Sequence, residues 1–335
     1  MKTLRLHGSH DLRLHDEAVP AAAAGQRLLK VASVGICGSD LHWFDEAGIG
    51  DARLEHPLVL GHEFSARMEN GERVAVDPAV PCGRCELCLQ GHPNICPNVL
   101  FAGHGEQDGA LREYMPWDER YLFPLPDSIS DDEGALLEPL GVAIHAVDLA
   151  HLKTGITVGV FGCGVIGLMI VQLARLSGAA KILATDVLAH RVDAARGLGA
   201  QHAILPDDRR GGGQVLALTA GRGVDVAFEV SGDPDAVTAA FEAVKPGGKV
   251  ILVGIPSDDR TSFQASLARR KGLTIKLVRR MKLTYPRAIA LVSQGMVEAR
   301  SLITHRFTID QGTAAFEAAE ARAGIKIVIT VDGAR

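Results

Sequence analysis

Four cysteines form the densest group of metal-binding side chains in the 335-residue sequence. Cys82, Cys85, Cys88 and Cys96 are separated by two, two and seven residues. Four thiolates suit one tetrahedral Zn²⁺ that keeps no open coordination position. The intervening residues are mostly polar, which makes four free thiols in a hydrophobic core the weaker interpretation. The pattern therefore predicts a structural zinc site within a lobe of about residues 78–100.

A second group of metal-binding side chains is dispersed along the chain and consists of Cys37, the adjacent His62 and Glu63, and Glu138. None of these residues indicates a metal site by itself, since a single histidine is usually structural and an acid in an acidic stretch is usually solvated. Together they supply thiolate, imidazole and carboxylate ligands with one position left for water or substrate, the arrangement of a catalytic zinc. Such an ion would act as a Lewis acid that lowers the pKa of an alcohol, which could then lose hydride to a redox cofactor.

A third motif, a glycine-rich turn, could bind a dinucleotide as that cofactor. Gly162, Gly164 and Gly167 form a GxGxxG pattern between an apolar strand and an apolar helix, where backbone N–H groups can bind a pyrophosphate. Asp186 ends the next predicted strand, and an acid there accepts hydrogen bonds from ribose hydroxyls and repels a 2′-phosphate. No arginine follows it directly, which favours NAD over NADP. The alternative is that Asp186 only caps a helix.

The elements that would position this turn alternate between strand and helix from about residue 140 to 278. Repeated strand–helix alternation predicts a doubly wound parallel sheet. The predicted strands are Ile156–Phe161, Lys181–Thr185, Val224–Glu229, Lys249–Val253 and Leu273–Val278, and the predicted helices are Ile166–Ser177, Ala189–Leu198 and Asp235–Val244. Gly211–Gly213 is interpreted as a loop.

The rest of the chain has a different pattern. Short β-like segments broken by Gly, Pro and Asp predict a mostly antiparallel first domain. The C-terminal helix and strand pair are expected to pack back on it. The clearest segments are Arg27–Val34, Arg73–Pro78 and Tyr121–Leu125, followed late in the chain by the helix Tyr285–Ser293 and the strands Leu302–Phe307 and Lys326–Thr330.

Composition excludes several classes of function. A net charge of −5 and 4% aromatic residues argue against a nucleic-acid or anionic membrane partner. Gly155–Ala174 is uncharged and long enough to span a membrane, but its glycines favour a buried strand, turn and helix. The first residues are charged throughout, so we expect no secretory signal and a cytoplasmic enzyme with a small-molecule substrate.

Taken together, these residues resemble the zinc-containing medium-chain dehydrogenase/reductase family, and within it the polyol (sorbitol or L-iditol) dehydrogenases. The resemblance covers essentially the whole chain. It implies an α/β fold with a GroES-like, mostly-β catalytic domain over 1–140 and 279–335, a Rossmann NAD-binding domain over 141–278, and an active site in the cleft between them. The segments that carry it are Ile36–His42, Leu60–Glu63, the four-cysteine lobe, Leu136–Ala146, Gly162–Gly167 and Thr284–Ile289.

The resemblance also implies roles for individual residues. Cys37, His62 and Glu63 would bind the catalytic zinc, and Glu138 would hold the zinc-bound water or alternate as a ligand, so the third ligand at rest stays open. Ser39 and His42 would relay the proton of the alcohol toward solvent. The implied cofactor contacts are Gly162, Gly164, Ile166, Gly167, Asp186, Arg191, Val253, Gly254, Ile255, Val278, Arg279 and Arg280.

Two departures from the family concern the substrate. Trp43 stands where animal sorbitol dehydrogenases carry Tyr, and Arg280-Met281 replaces an Arg-Tyr pair. Losing two phenols removes possible hydrogen bonds to a polyol, so the identity of the alcohol stays open. Arg280 could pair with a substrate hydroxyl or carboxylate, or contact the cofactor or an interface.

Several alternatives remain. The same zinc and NAD chemistry would serve an L-threonine 3-dehydrogenase or a sugar-acid (idonate-type) dehydrogenase. A non-catalytic zinc scaffold would be expected to lack some of the catalytic residues. This sequence contains all of them, namely Cys37, Ser39, His42, His62, Glu63 and Glu138. By resemblance we expect two zinc ions per chain, one structural and one catalytic. A homodimer or homotetramer is also expected, paired through the strand Leu273–Val278.

Overall fold

The computed structural model describes residues 1–208 and 210–331. The chain forms two compact units. One consists of Met1–Pro139 with Lys282–Arg335, and the other of Leu140–Met281. Both are built largely from β-strands with helices between them.

Within the described residues the chain has twenty β-strands and eleven α-helices. The strands are β1 (Lys2–Gly8), β2 (Asp11–Asp16), β3 (Gln26–Gly35), β4 (Gly48–Ile49), β5 (Ala52–Arg53), β6 (Leu58–Val59), β7 (Glu63–Arg67), β8 (Arg73–Val76), β9 (Ala79–Val80), β10 (Leu100–Phe101), β11 (Tyr114–Asp118), β12 (Leu122–Pro124), β13 (Thr157–Phe161), β14 (Lys181–Thr185), β15 (His202–Ile204), β16 (Val224–Glu229), β17 (Val244–Leu252), β18 (Thr274–Leu277), β19 (Ile303–Thr308) and β20 (Lys326–Thr330). The helices are α1 (Gly38–Glu46), α2 (Glu86–Leu89), α3 (Asp131–Ala135), α4 (Leu137–Ala150), α5 (Val165–Leu176), α6 (Ala189–Gly197), α7 (Gly212–Leu218), α8 (Pro234–Ala243), α9 (Ala265–Lys271), α10 (Tyr285–Ser293) and α11 (Gly312–Glu320).

The first unit is organised around a sheet in the order β12-β8-β7-β3-β20-β19, with β11 also paired to β3. Alternate residues of the long strand β3, such as Leu29 and Val31, are fully buried in the core of this unit. The antiparallel pairing of β3 and β7 sets Gly35 opposite Glu63. Because Cys37 follows β3 and His62 precedes β7, this register brings two distant sequence motifs together.

The C-terminal strands complete the same sheet. β20 pairs antiparallel with β3, in a register that sets Val328 opposite Gly35. β19 and β20 correspond to the predicted strand pair, but they run parallel. Parallel neighbours need a crossover connection, and α11, which the sequence analysis did not predict, lies between them in the chain.

The second unit contains a six-stranded parallel sheet in the order β15-β14-β13-β16-β17-β18. The strand order reverses between β13 and β16, as in the doubly wound dinucleotide-binding fold. The predicted α/β fold class is therefore confirmed. The uncharged stretch Gly155–Ala174 contains β13 and most of α5, both largely buried. Among the described residues, no helix combines the length and apolar character needed to cross a membrane.

Several details of the second unit differ from the sequence analysis, which also did not predict helix α9. The Gly211–Gly213 run is not a loop throughout, because helix α7 begins at Gly212. Strand β15 was not predicted, since it has only three residues. Strand β17 begins at Val244, the last residue of the predicted helix, rather than at the predicted Lys249, and it continues through Pro246 and two glycines. Short elements and glycine-containing strands show little hydrophobic periodicity in the sequence. Their secondary structure therefore depends on pairing with other parts of the chain.

Candidate functional site

The four cysteines of the lobe come together as one group. The ligand atoms of Cys82, Cys85, Cys88 and Cys96 all lie within 4.8 Å of one another. The Sγ atoms of Cys85 and Cys88 are 3.4 Å apart, and those of Cys96 and Cys82 are 3.6 Å apart. The backbone N–H groups of Arg84 and Cys85 lower the pKa of Cys82 to about 6. All four thiols are free. Four converging sulfur atoms match the donor set of a closed tetrahedral zinc site.

A second group lies where β3 and β7 pair. The ligand atoms of Cys37, His62 and Glu63 also lie within 4.8 Å of one another. His62 and Glu63 are 5% and 1% exposed, while Cys37 is half-buried. The structure therefore assembles a mixed set of sulfur, nitrogen and oxygen donors in which only Cys37 is partly exposed. This donor set fits Zn²⁺, which accepts all three atom types.

Asp40 orients His62, and the sequence analysis missed this residue. It is 1% exposed, and its Oδ1 lies 3.3 Å from His62 Nδ1. The same carboxylate accepts hydrogen bonds from the backbone N–H groups of Cys37 at 2.9 Å and Gly61 at 3.2 Å. Burial by itself would raise the pKa of Asp40, but His62 and these hydrogen bonds hold it below its usual value. A carboxylate on Nδ1 fixes the imidazole so that Nε2 faces a metal.

Lys326, the first residue of β20, is a second residue that the sequence analysis missed. It is 2% exposed, and its Nζ donates hydrogen bonds to Ile36 O at 2.8 Å and to Glu63 Oε2. Burial would lower the pKa of this lysine, but the charges of Glu63 and Cys37 raise it overall. Gly35 leaves the space for this pair, because a Cβ there would overlap Glu63 Oε2. A single lysine in a β-strand gives no sequence signal of such a role.

Glu138 lies in the first turn of α4 and is 5% exposed. Burial raises its pKa to about 8; the charge of Glu63 contributes, while His62 and Lys326 oppose the shift. Glu138 is therefore an electrostatic neighbour of the second group. Its oxygen is not part of the set within 4.8 Å, which contains Glu63. A buried carboxylate with a raised pKa beside candidate metal ligands is typical of a functional site.

The two candidate relay residues lie on α1. Ser39 Oγ is 3.4 Å from His62 Nε2, so its hydroxyl reaches the second group. His42 is one turn further along, and its Nδ1 lies 3.4 Å from Glu46 Oε1. Helical spacing places positions 39 and 42 on one face of α1. Glu46, which the sequence analysis did not single out, extends this polar row toward solvent.

The candidate substrate residues are divided between the two compact units. Trp43 is 2% exposed and belongs to the hydrophobic core, with its ring edge-on to His104 at 5.6 Å between centroids. The ring of Phe101 packs on the imidazole of His62, with 5.2 Å between the ring centroids. Phe101 is thus an aromatic neighbour of the second group, and His104 is a neighbour of Phe101 and Trp43; the sequence analysis missed both. Arg280 and Met281 belong to the other compact unit, and Met281 is buried.

The glycine-rich turn joins β13 to α5 in the second unit. Gly162 has φ +102°, which a side chain would make unfavourable. A Cβ at Gly167 would overlap Gly162 O, so the helix approaches the turn closely. Gly164 is the N-cap of α5 and Ile166 lies in its first turn, beside backbone N–H groups without helical partners. This is the geometry that binds a pyrophosphate.

Asp186 follows β14 beside the glycine-rich turn. Its Oδ2 accepts a hydrogen bond from Cys163 N at 2.7 Å, and its Oδ1 accepts one from Leu188 N at 2.9 Å. Leu188 is the N-cap of α6, so Asp186 does not cap this helix. Arg191 Nη1 lies 3.9 Å from Asp186 Oδ2. The side chain of Cys163 is buried.

The remaining predicted cofactor residues follow the next strands of the sheet. Val253, Gly254 and Ile255 come directly after β17, while Val278, Arg279 and Arg280 follow β18. The carboxyl ends of parallel strands meet at one edge of the sheet, so these segments lie at the same edge as the glycine-rich turn and Asp186. Burial lowers the pKa of Arg279.

Comparison with protein families matches both units. Residues 23–127 match the alcohol dehydrogenase GroES-like domain, and residues 165–294 match the zinc-binding dehydrogenase family. Among curated proteins, the chain is 36% identical over 329 residues to a sorbitol dehydrogenase of Bacillus subtilis, covering 95% of this chain and 93% of the relative. It is 34% identical to the sorbitol dehydrogenase of Bos taurus, with 98% and 96% coverage.

The solved structures that are similar to this chain are also dehydrogenases. An Escherichia coli oxidoreductase/dehydrogenase of unknown specificity superimposes with TM-score 0.92 at 32% identity, covering 99% of both chains. L-idonate 5-dehydrogenase from Escherichia coli gives TM-score 0.90 at 25% identity, with 98% of both chains covered. A zinc-binding dehydrogenase from Sinorhizobium meliloti bound to NADP gives 0.89 at 28% identity, covering 98% of this chain and 99% of that one.

Proposed function

The chain belongs to the zinc-containing medium-chain dehydrogenase/reductase family, and we propose that it transfers a hydride from a secondary alcohol, a polyol, to NAD and yields the ketone. The observation that carries the proposal is the convergence of Cys37, His62 and Glu63 within 4.8 Å, with the buried carboxyl of Glu138 as their neighbour. The family membership makes the chain a zinc alcohol dehydrogenase; the polyol substrate and NAD are the proposal.

The second group would hold the catalytic zinc through Cys37, His62 and Glu63. Zn²⁺ supplies Lewis acidity there, which makes an alcohol hydroxyl more acidic. Asp40 fixes the imidazole of His62, and Lys326 fixes one oxygen of Glu63. We assign Glu63 as the third ligand at rest and Glu138 as the carboxyl that holds a nearby water, because Glu63 alone belongs to the converging set.

The proton of the alcohol would leave along α1. Ser39 Oγ already reaches His62 Nε2, and His42 is within reach of Glu46 near the protein surface. A hydroxyl can accept and donate at once, and an imidazole changes its charge near neutral pH, so the pair can pass a proton outward. Glu46 would orient His42 rather than react itself.

The cofactor would bind at the carboxyl edge of the parallel sheet. The glycine-rich turn fits a pyrophosphate, and the charge of Asp186 opposes a 2′-phosphate, which supports NAD. One similar structure holds NADP, so the preference needs its own test. We expect kcat/KM with NAD to exceed that with NADP, and Asp186→Ala to narrow the difference. A wild-type preference for NADP would contradict the assignment.

The polyol is proposed from the sorbitol dehydrogenase relatives, and its identity is tested by a substrate panel. Purified zinc-loaded protein with NAD would be offered D-sorbitol, xylitol, 2,3-butanediol, L-idonate and L-threonine, and NADH formation would be followed by absorbance. Turnover of a polyol above the others supports the proposal. Turnover of L-idonate, the substrate named for a similar structure, or of L-threonine without polyol turnover would overturn the substrate class.

Further parts of the proposal concern the whole protein. We propose two zinc ions per chain, one in the four-cysteine lobe and one at the second group, and metal analysis tests the number. Met1–Pro139 with Lys282–Arg335 would be the catalytic domain, and Leu140–Met281 the NAD-binding domain. A homodimer or homotetramer is proposed on family resemblance and is tested by light scattering. The cytoplasmic location stays a prediction.

A further inference from the structure

Glu229 is a buried carboxylate with no part in the chemistry described above. It ends β16, the strand next to β13 at the point where the strand order reverses, and it is 1% exposed. Its Oε1 accepts three hydrogen bonds, from Ser231 N at 2.7 Å, Ser231 Oγ at 2.8 Å and Gly232 N at 2.8 Å. A buried carboxylate with three donors on one oxygen fixes the turn that follows it.

The backbone of Glu229 holds a second turn. Its carbonyl oxygen accepts hydrogen bonds from Val253 N at 2.8 Å and Gly254 N at 3.3 Å. These two residues begin the segment after β17. Glu229 therefore connects the turns that follow two adjacent strands, one through its side chain and the other through its main chain.

The two turns approach each other so closely that only glycine fits. A Cβ at Gly254 would overlap Gly232 N, and a Cβ at Gly232 would overlap Ile255 O. Gly232 has φ +75°, which also disfavours a side chain. The glycine-rich turn is adjacent, because a Cβ at Gly162 would lie 3.1 Å from Ser231. In this narrow space the Ser231–Gly232 turn is held by the three hydrogen bonds to Glu229 Oε1 and by one from Asp233 N to Ser231 Oγ at 3.1 Å.

The position of these turns indicates what they support. A doubly wound sheet binds a dinucleotide with one mononucleotide on each side of the reversal in strand order. The glycine-rich turn and Asp186 belong to the β13–β15 side, which takes the adenosine. The turns held by Glu229 follow β16 and β17, on the side that takes the nicotinamide mononucleotide.

We propose that Glu229 is the positioning residue for the nicotinamide half of the cofactor, because it fixes the Ser231–Gly232 turn against the Val253–Ile255 segment. The proposal rests on the proposed function, since it assumes that a nicotinamide dinucleotide binds. It assigns no contact between Glu229 and the cofactor. The carboxylate acts through the turn, which would otherwise occupy several conformations.

The test compares a whole dinucleotide with its adenosine part. NADH and ADP share adenosine and the pyrophosphate, whereas only NADH has the second ribose and the nicotinamide. Glu229→Met keeps the approximate size of the side chain and removes the acceptor. We expect this variant to bind NADH at least about tenfold more weakly, because three donors lose their partner. ADP affinity should change by less than about threefold, since the adenosine side is intact.

Two further variants separate positioning from general stability. Glu229→Gln keeps an oxygen acceptor without its charge, so we expect it to recover part of the NADH affinity. Asp225→Asn is the matched control, because Asp225 lies in the same strand and accepts hydrogen bonds from Thr157 N and Arg222 at the opposite end. This control should lower the melting temperature without changing the ratio of NADH to ADP affinity.

Isothermal titration with zinc-loaded protein gives both affinities, and thermal unfolding reports folding. Equal loss of NADH and ADP affinity in the Glu229 variants, or no loss in either, would overturn the proposal. If Glu229→Met does not fold, the same comparison is decided by Glu229→Gln. Failure of the wild-type protein to bind NADH at all would instead overturn the proposed function, which distinguishes the two ideas.

Discussion

The two cysteine-containing groups of the first unit are assembled in different ways. The lobe takes all four of its sulfur atoms from one short segment, which contains α2 and is closed by the pairing of β9 with β10. The second group takes Cys37 from the segment just after β3, and it takes His62 and Glu63 from the point where β7 begins. One group is local in sequence, and the other depends on the register of a sheet.

The surroundings of the two groups differ as well. The described contacts of the lobe sulfurs are with one another and with nearby backbone N–H groups. The second group has charged supporting residues, with Asp40 on His62, Lys326 on Glu63 and Glu138 beside them. A uniform set of four sulfurs suits a metal that holds structure, whereas a mixed set with fixed ligands and a free position suits a metal that acts on substrate.

Cys37→Ser tests the comparison with the largest expected effect. Removing the only thiolate of the second group should abolish its zinc and lower kcat/KM by at least about a thousandfold, since a catalytic metal supplies several kcal/mol. The lobe and the fold should persist. Metal analysis, NADH formation and circular dichroism check these outcomes. Loss of folding would show that the structural and catalytic roles are assigned the wrong way round.

Cys96→Ser should give the opposite result. We expect the lobe to lose its zinc and the melting temperature to fall, because this buried cysteine contacts Cys82. Below the melting temperature, kcat/KM should stay within about threefold of wild type, as the lobe takes no part in the chemistry. The control is Cys163→Ala, which removes a buried thiol outside both groups and should leave the zinc content unchanged.

Lys326→Met examines the support of Glu63. The variant leaves a buried carboxylate without its counter-ion, which should lower the free energy of unfolding of the metal-free protein by about 3–5 kcal/mol. Zn²⁺ would partly replace the missing charge, so the difference from wild type should shrink when zinc is bound. Urea unfolding with and without zinc measures both values.

A suitable control for that experiment is Lys245→Met. Lys245 pairs with Asp225, and its side chain is 30% exposed. We expect a loss of less than about 1 kcal/mol with no dependence on zinc. If zinc changes the loss in free energy of unfolding equally in the two lysine variants, Lys326 only forms an ion pair and does not support a metal ligand.

Asp40→Asn has the smallest expected effect. The amide keeps the shape of the side chain but loses the charge that orients His62, and loss of such partners typically lowers metal affinity about 10–100-fold. Competition with a chelator should show this change at the second group and none at the lobe. Weaker binding at both groups would mean that the variant acts through general destabilisation.

Sequence patterns predicted the structure correctly where the residues are close in the chain or where a motif is compatible with only one local structure. The spacing of the four cysteines, the glycine-rich turn with Asp186, and the strand–helix alternation after residue 140 belong to this class. The predicted strands Lys181–Thr185 and Val224–Glu229 agree with β14 and β16 to the residue. Buried parallel strands have continuous apolar runs, which makes them readable without tertiary information.

Other residues had no such signal. Lys326 is far from Glu63 in sequence, and it joins the second group only because β20 pairs with β3. Phe101 and His104 were not singled out by the sequence analysis, and Trp43, considered as a substrate contact, lies in the core. Glu229 ended a predicted strand without suggesting what its carboxylate holds.

The sequence by itself determined the kind of chemistry, because thiolates, imidazole and carboxylates at these spacings, with a glycine-rich turn, have few other uses. The tertiary structure decided how that chemistry is supported: which carboxylate converges with Cys37 and His62, which charges fix each ligand, and which buried acid holds the turns of the second unit. Such contacts depend on strand register and on close backbone approach. Both arise from packing between segments that lie far apart in the chain.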